Sequence, residues 1–178
     1  DIFHMQDLNL DKSGKGDAER FHANLDKHGI GHENVVTIVQ DSLALKKADL
    51  APHIDIYGAF KFISVDGGHD VIHTVNDIEL AMQVVAHEGL IAVDDYHNPN
   101  WPGVAEGVAR MYLTRAYNFV PFMFIGSKLF LCSYSYHATY LNLVRSYVSA
   151  NFPKSMVKMV PRFGYDALTI TSGHHKRI

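Results

Sequence analysis

A chain of 178 residues with 47% hydrophobic content fits one domain of ordinary size with material for a substantial core. A net charge of −3 without a long basic run argues against nucleic acid as a partner, and no apolar stretch reaches the roughly 18 residues that cross a bilayer. The single cysteine, Cys132, can form no internal disulfide, which suits a reducing compartment, and a cytoplasmic location is expected.

The chain opens on Asp1, Ile2 and Phe3, which read as the last residues of a strand. A polar stretch follows and leads into a predicted helix over residues 17–28, where Ala18, Phe21 and Leu25 share a face and Gly29 and Gly31 stop the run. The Gly14-Lys15-Gly16 inside the polar stretch is no phosphate loop, because the full GxxxxGK[ST] pattern is absent and no complete strand precedes it. Residues 35–39 are rich in β-branched side chains and predict a strand that closes at Gln40, Asp41 and Ser42. Residues 43–50 predict a short helix, and 51–59, with Pro52 and Gly58, a loop.

The stretch from 62 to 103 is the organising unit. Residues 62–65 form a short apolar run of β-formers stopped by Asp66, Gly67 and Gly68. Thr74 is placed to cap a helix with Asp77 at its third position. Val75, Ile78, Met82 and Val85 give that helix an apolar stripe, and Gly89 stands where it should end. Residues 90–93 repeat the strand pattern and stop at Asp94 and Asp95. The polar loop 97–102 surrounds Trp101, with Pro99 and Pro102 opposing further strand pairing. A helix over 104–117, a hairpin of 119–125 and 128–133 turned at Gly126-Ser127, and a helix over 137–150 complete an α/β domain of residues 1–150. Residues 151–178 read as a C-terminal extension, with a short apolar run at 167–171 and a solvated tail through His174, His175, Lys176 and Arg177.

Two parallel strands joined by a helix are usually neighbours, about 4.8 Å apart. Asp66 and the pair Asp94 and Asp95 should therefore emerge side by side at the carboxyl edge of the sheet, where open α/β sheets bind ligands. Three carboxyl groups there repel one another unless a cation or a proton relieves them, and a hard divalent ion suits such a cluster. Ordinary turn-forming aspartates are the alternative.

The motifs DIF at 1–3, SGKGDAERF at 13–21, QDSL at 40–43, SVDGGH at 64–69, VDDYHNPNWPGVAEGVAR at 93–110 and SKLFL at 127–131 together resemble a class I S-adenosylmethionine-dependent methyltransferase, in its small-molecule O-methyltransferase-like branch. The resemblance covers roughly residues 1 to 145. It implies a Rossmann-like, mostly parallel sheet in the order 3-2-1-4-5-7-6, with helices on both faces and a C-terminal antiparallel hairpin. It also implies that the chain is N-terminally incomplete, because the family's first strand with its glycine-rich turn and most of its second strand find no match. By the same resemblance Asp1 would bond the ribose, Asp41 and Ser42 would hold the adenine, and Asp66 would lie near the methionyl part and the metal. Asp94 and Asp95 would hold Mg2+ beside the acceptor hydroxyl, and His69 or His97 would take its proton.

Several residues carry two readings. Asp94 caps the turn while Asp95 faces the site, or the roles are reversed. His69 and His73 have the i, i+4 spacing of zinc-binding pairs, but the acid of HExxH is missing, so His73 reads as a surface or capping residue. Trp101 packs its loop or walls the substrate, Tyr96 lines the acceptor pocket or enters the core, and Cys132 reads as an inert buried thiol. The expected activity is methyl transfer from S-adenosylmethionine to a hydroxyl of a small molecule, a sugar or glycoside-like acceptor, in a protein that is a homo-oligomer or is completed by a preceding segment. A catalytically silent binding module of the same fold and a metal-dependent hydrolase are the rivals. Calorimetry with S-adenosylhomocysteine separates the first two, and the lack of an obvious nucleophile weakens the third.

Overall fold

The computed structural model describes residues 1–10, 12–14 and 16–170; Lys15 of the Gly-Lys-Gly, Thr171 and the tail from His174 to Arg177 lie outside the described residues. Among the described residues five α-helices and six strands follow one another: α1 (Ala18–Lys27), α2 (Lys47–Tyr57), β1 (Phe60–Val65), α3 (Val71–Val84), β2 (Val85–Val93), α4 (Pro102–Thr114), β3 (Phe119–Ile125), β4 (Lys128–Ser133), α5 (His137–Asn151), β5 (Val157–Arg162) and β6 (Tyr165–Ile170). The strands form one sheet in the order β1-β2-β4-β3-β6-β5. β1 and β2 pair in parallel, as do β3 and β6, and β4 runs antiparallel to both of its neighbours. β1, β2, β3 and β6 therefore point the same way, and the stretch β1-β2-β4-β3 has the 4-5-7-6 order that the resemblance implies. The fold is α/β and compatible with a Rossmann-like sheet.

Strand alternation divides the core between two helical layers. Ile91 and Val93 face α3 and α4, where Ile78, Val104, Val108 and Met111 complete a cluster that is almost wholly buried. On the opposite face Phe122 packs its ring against Tyr140 of α5, 5.6 Å between centroids. Cys132 is buried as expected, and burial pushes its thiol up to about 12, so it is inert at neutral pH. No helix among the described residues is long and apolar enough to cross a membrane.

The hairpin β3–β4 has the expected bounds, whereas five other expectations need correction. Residues 35–39 are extended but form no ladder among the described residues. Their neighbour is Asp1, whose amino group donates to the Ile38 carbonyl at 3.2 Å and whose carbonyl accepts from Gln40 N–H at 3.1 Å. The helix expected at 43–50 begins at Lys47 and runs through Pro52 to Tyr57, with Gly58 as its cap. One proline removes one backbone bond, and Asp49 secures the helix start by accepting from the Lys46 N–H at 2.8 Å. The cap of α3 is Asp70, not Thr74; its carboxylate accepts from the N–H groups of Ile72 and His73, and Thr74 is buried in the helix.

Gly89 does not end α3, which stops at Val84, but lies inside β2. β1 and β2 are out of step there, Phe60 facing Val85 and Phe62 facing Leu90, and a Cβ on Gly89 would stand 3.0 Å from the Lys61 carbonyl oxygen and 2.6 Å from a Val85 methyl. A glycine is required because two stretches of chain meet at that point. The fifth correction concerns α4, which spans Pro102–Thr114 rather than 104–117, with Pro102 as its first residue, where a missing N–H costs nothing. Residues 157–170 form a second hairpin that joins the same sheet through β6. The short apolar run at 167–170 is the buried half of it.

Candidate functional site

β1 and β2 end together because the Asp94 N–H donates to the Val65 carbonyl at 2.9 Å. Asp66 and Asp94-Asp95 therefore leave the sheet side by side. Asp95 has φ of 55°, a left-handed conformation uncommon outside glycine, asparagine and aspartate. Its N–H donates to Asp94 Oδ1 at 2.9 Å, while its own Oδ1 accepts from Asn98 Nδ2 at 2.8 Å. The two neighbouring carboxylates thus turn apart.

Asp94 turns to β4. It accepts from Ser127 Oγ at 2.9 Å and pairs with Lys128. The hydrogen bond from Lys128, followed by burial acting the other way and the bonds from Asp95 and Ser127, holds its carboxyl below the ordinary 3.8. A depressed carboxyl contributes stability above its unfolded pKa, and that contribution is lost as pH falls through the folded value. The slope of unfolding free energy against pH, measured by urea titration from about pH 6 to about pH 3, will be shallower in Asp94→Asn than in the wild type.

Asp95 turns to His69, whose Nε2 lies 3.3 Å from Asp95 Oδ2 and 4.0 Å from Asp66 Oδ1. One ligand atom from each of Asp66, His69 and Asp95 falls within 4.8 Å of the others, which makes them a group able to hold a cation. The imidazole is largely enclosed, its side chain 12% exposed, because the indole of Trp101 stacks on it at 4.5 Å and 18°. Its other nitrogen, Nδ1, faces Ser13 Oγ at 3.4 Å. α4 begins against this turn, since Gly103 lies so close that a Cβ there would stand 2.5 Å from the His69 carbonyl oxygen.

A cavity of about 890 Å³ opens beside the cluster and runs along β1 and α3. Asp1, Asp41, Ser42, Asp66 and His69 all line it, together with Ser13, Asp70, His73 and Asp77. Asp94, Asp95 and His97 do not. His97 is exposed at one edge and packs edge-on to Tyr96 and Phe124; burial, then the Arg162 charge, lowers its pKa. Tyr96 is core, 6% exposed, and Trp101 is a wall of the cluster. His73 is buried and stands outside the cation group, so the i, i+4 pair is not a zinc pair.

Sequence reasoning assigned no role to Ser13 or Asp70, and gave Asp77 only a place in the cap of the helix that follows β1. Only the Asp70 cap had a local signal, an aspartate directly before an apolar helical run. Ser13 becomes visible only when the polar loop folds across the end of β1, and Asp77 only when α3 lies along the cavity.

The residues fit the groups that the resemblance implies. The cavity has the size of a small-molecule site, with carboxylates at Asp1 and Asp41 able to accept from hydroxyls, an apolar wall at Leu45, Leu50 and Leu80, and Gly67-Gly68 at the turn after β1, where a Cβ would stand 2.8 Å from Asp77 Oδ2 or 2.7 Å from His73 Cγ. Two carboxylates and an imidazole form a mixed oxygen and nitrogen donor set suited to a divalent metal. A protein-family model described as a methyltransferase domain matches residues 3–96, more than half of the chain. No curated protein matches it.

Proposed function

The chain belongs to the methyltransferase domain family, and on that premise we propose that it methylates a hydroxyl of a small molecule, in the manner of the O-methyltransferase-like branch. The family implies S-adenosylmethionine as methyl donor, which supplies an electrophilic sulfonium methyl. The observation that carries the reading is continuity: one cavity joins Asp1, Asp41 and Ser42 at one end to Asp66 and His69 at the other. Asp1 would bond the ribose hydroxyls, the Asp41-Ser42 turn the adenine, and Asp66 would lie toward the methionyl end.

His69 is the base of choice over His97, because it lines the cavity and is oriented from three sides. Asp95 and Asp66 flank Nε2, and Trp101 covers one ring face. The acceptor proton is taken at Nδ1, the nitrogen turned from Asp95, and the charge gained by the ring is offset by the two carboxylates. Trp101 also keeps water from that face. As the alternative to proton transfer at His69, the group Asp66, His69 and Asp95 would hold a divalent ion, Mg2+ or a metal more tolerant of imidazole such as Mn2+, which would itself increase the acidity of an acceptor hydroxyl; bound through Nε2, the ring would keep its proton on Nδ1 and would serve as ligand rather than base. Asp94 would act only by holding the Asp95 turn to β4.

Incubation with S-adenosylmethionine labelled at the methyl group, against matched sets of hydroxyl, amine and thiol acceptors, tests the reading. Label should pass to hydroxyl compounds. Transfer confined to amines would overturn the acceptor class, and transfer to none while the cofactor binds would favour a silent binding module.

A further inference from the structure

The turn proposed to hold the adenine is shaped by its own bonds, Ala44 N–H to the Asp41 carbonyl at 3.0 Å and Leu45 N–H to the Ser42 carbonyl at 3.2 Å, but these do not tie it to the rest of the fold. Asp41 and Ser42 follow the extended segment 35–39, which has no ladder among the described residues, so its position depends on what grips it from outside. That grip comes from α3. His73, 9% exposed, lies between two carboxylates: its Nδ1 is 2.6 Å from Asp70 Oδ2, and its Nε2 is 3.6 Å from Asp41 Oδ1. One turn away, Asn76 Nδ2 donates to the Ser42 carbonyl at 2.9 Å. The same Asp41 Oδ1 accepts from the Leu43 N–H at 3.0 Å, which shapes the turn from inside.

We propose that His73 and Asn76 are positioning residues that latch the Asp41-Ser42 turn to α3 and set its affinity for the nucleoside end of the cofactor. Asp70 fixes the imidazole by accepting from Nδ1–H, and with a proton on Nε2 as well the ring faces Asp41 Oδ1 at 3.6 Å as an ion pair, so the carboxylate that caps α3 and the one at the turn are joined through one ring. The spacing is that of neighbours on a helix, i and i+3, so a single face of α3 reaches both Asp41 and the Ser42 carbonyl. A latched turn is already ordered when the nucleoside arrives and loses less freedom on binding.

This inference rests on the proposed function only for the name of the ligand, and two measurements keep the two apart. In the ligand-free protein, Asn76→Ala will speed amide hydrogen exchange at Leu43 and Ala44 by about tenfold, the effect of losing one hydrogen bond, and His73→Gln, which removes the ion pair to Asp41, will speed it by about threefold. Exchange in β2 will be unchanged. Adenosine and S-adenosylhomocysteine, titrated calorimetrically, will each bind the variants more weakly than the wild type by the same factors, equally for both ligands because the latch acts only at the nucleoside end. In the wild type, the His73 ring resonances will shift on adding adenosine, which a histidine serving only the helix cap would not show. Unchanged exchange at Leu43 and Ala44 in both variants overturns the latch. Faster exchange together with a wild type that binds neither ligand supports the latch and overturns the proposed function. Should His73→Gln fail to fold, Asn76→Ala and the wild-type resonances decide alone.

Discussion

Asp95→Asn will keep the fold and bind S-adenosylhomocysteine as the wild type does, but it will lose roughly 100-fold or more in methyl transfer. Asparagine tolerates the left-handed backbone at this position, where φ is 55°, so the change removes charge without adding strain. Asp95 does not line the cavity, so nucleoside affinity has no reason to change. What it loses is the carboxylate 3.3 Å from His69 Nε2, both as partner of the imidazole and as one of the three candidate ligands. Trp101 is the sole tryptophan and stacks on His69, so its fluorescence reports on the cluster. Mn2+ will quench it in the wild type and far less in Asp95→Asn. Equal quenching in both would remove Asp95 from the ligand set.

Ile78→Ala will destabilise the protein by about 2–5 kcal/mol, a large share of the roughly 5–15 kcal/mol that holds a typical domain together. Ile78 is 0% exposed and sits in the cluster formed by α3, α4 and the sheet strands, so its removal leaves a cavity that rigid strands cannot fill. The same helix carries Asp70, His73, Asn76 and Asp77 toward the candidate site, so the loss should loosen the site as well. Ile72 of α3, 69% exposed, provides the contrast, and its replacement by alanine should stay within about 0.5 kcal/mol of the wild type. Urea unfolding of the two variants checks both values. A cost for Ile78→Ala no larger than that for Ile72→Ala would contradict the assignment of the core.

The legible parts of the chain were those in which sequence period and strand neighbourhood agree. The β1-α3-β2 unit and the β3–β4 hairpin could be read directly, and with them the meeting of Asp66 and Asp95 at one rim. The boundaries that shifted did so for local reasons. Asp70 outcompetes Thr74 as a cap because it lies before the first helical turn, and Gly89 marks a close approach of two strands rather than a helix stop. Pro52 looked like a breaker, but its helix tolerates one missing bond. The opposite turning of Asp94 and Asp95 depends on Lys128 and Ser127, more than thirty residues away, and no local pattern encodes it. The same is true of His73, whose partner Asp41 arrives from a segment without ladder bonds of its own, and of Trp101, whose stacking on His69 needs the whole loop closed. The second hairpin was obscured by Pro161 and Gly164, which stand at its exposed edge and its turn.

The most direct test of the cofactor site is calorimetric titration of the wild-type chain with S-adenosylhomocysteine, with and without a divalent metal. The cavity along β1 predicts saturable binding of one molecule per chain, weakened by Asp41→Ala and Asp66→Ala. Heat indistinguishable from dilution under both conditions would contradict it.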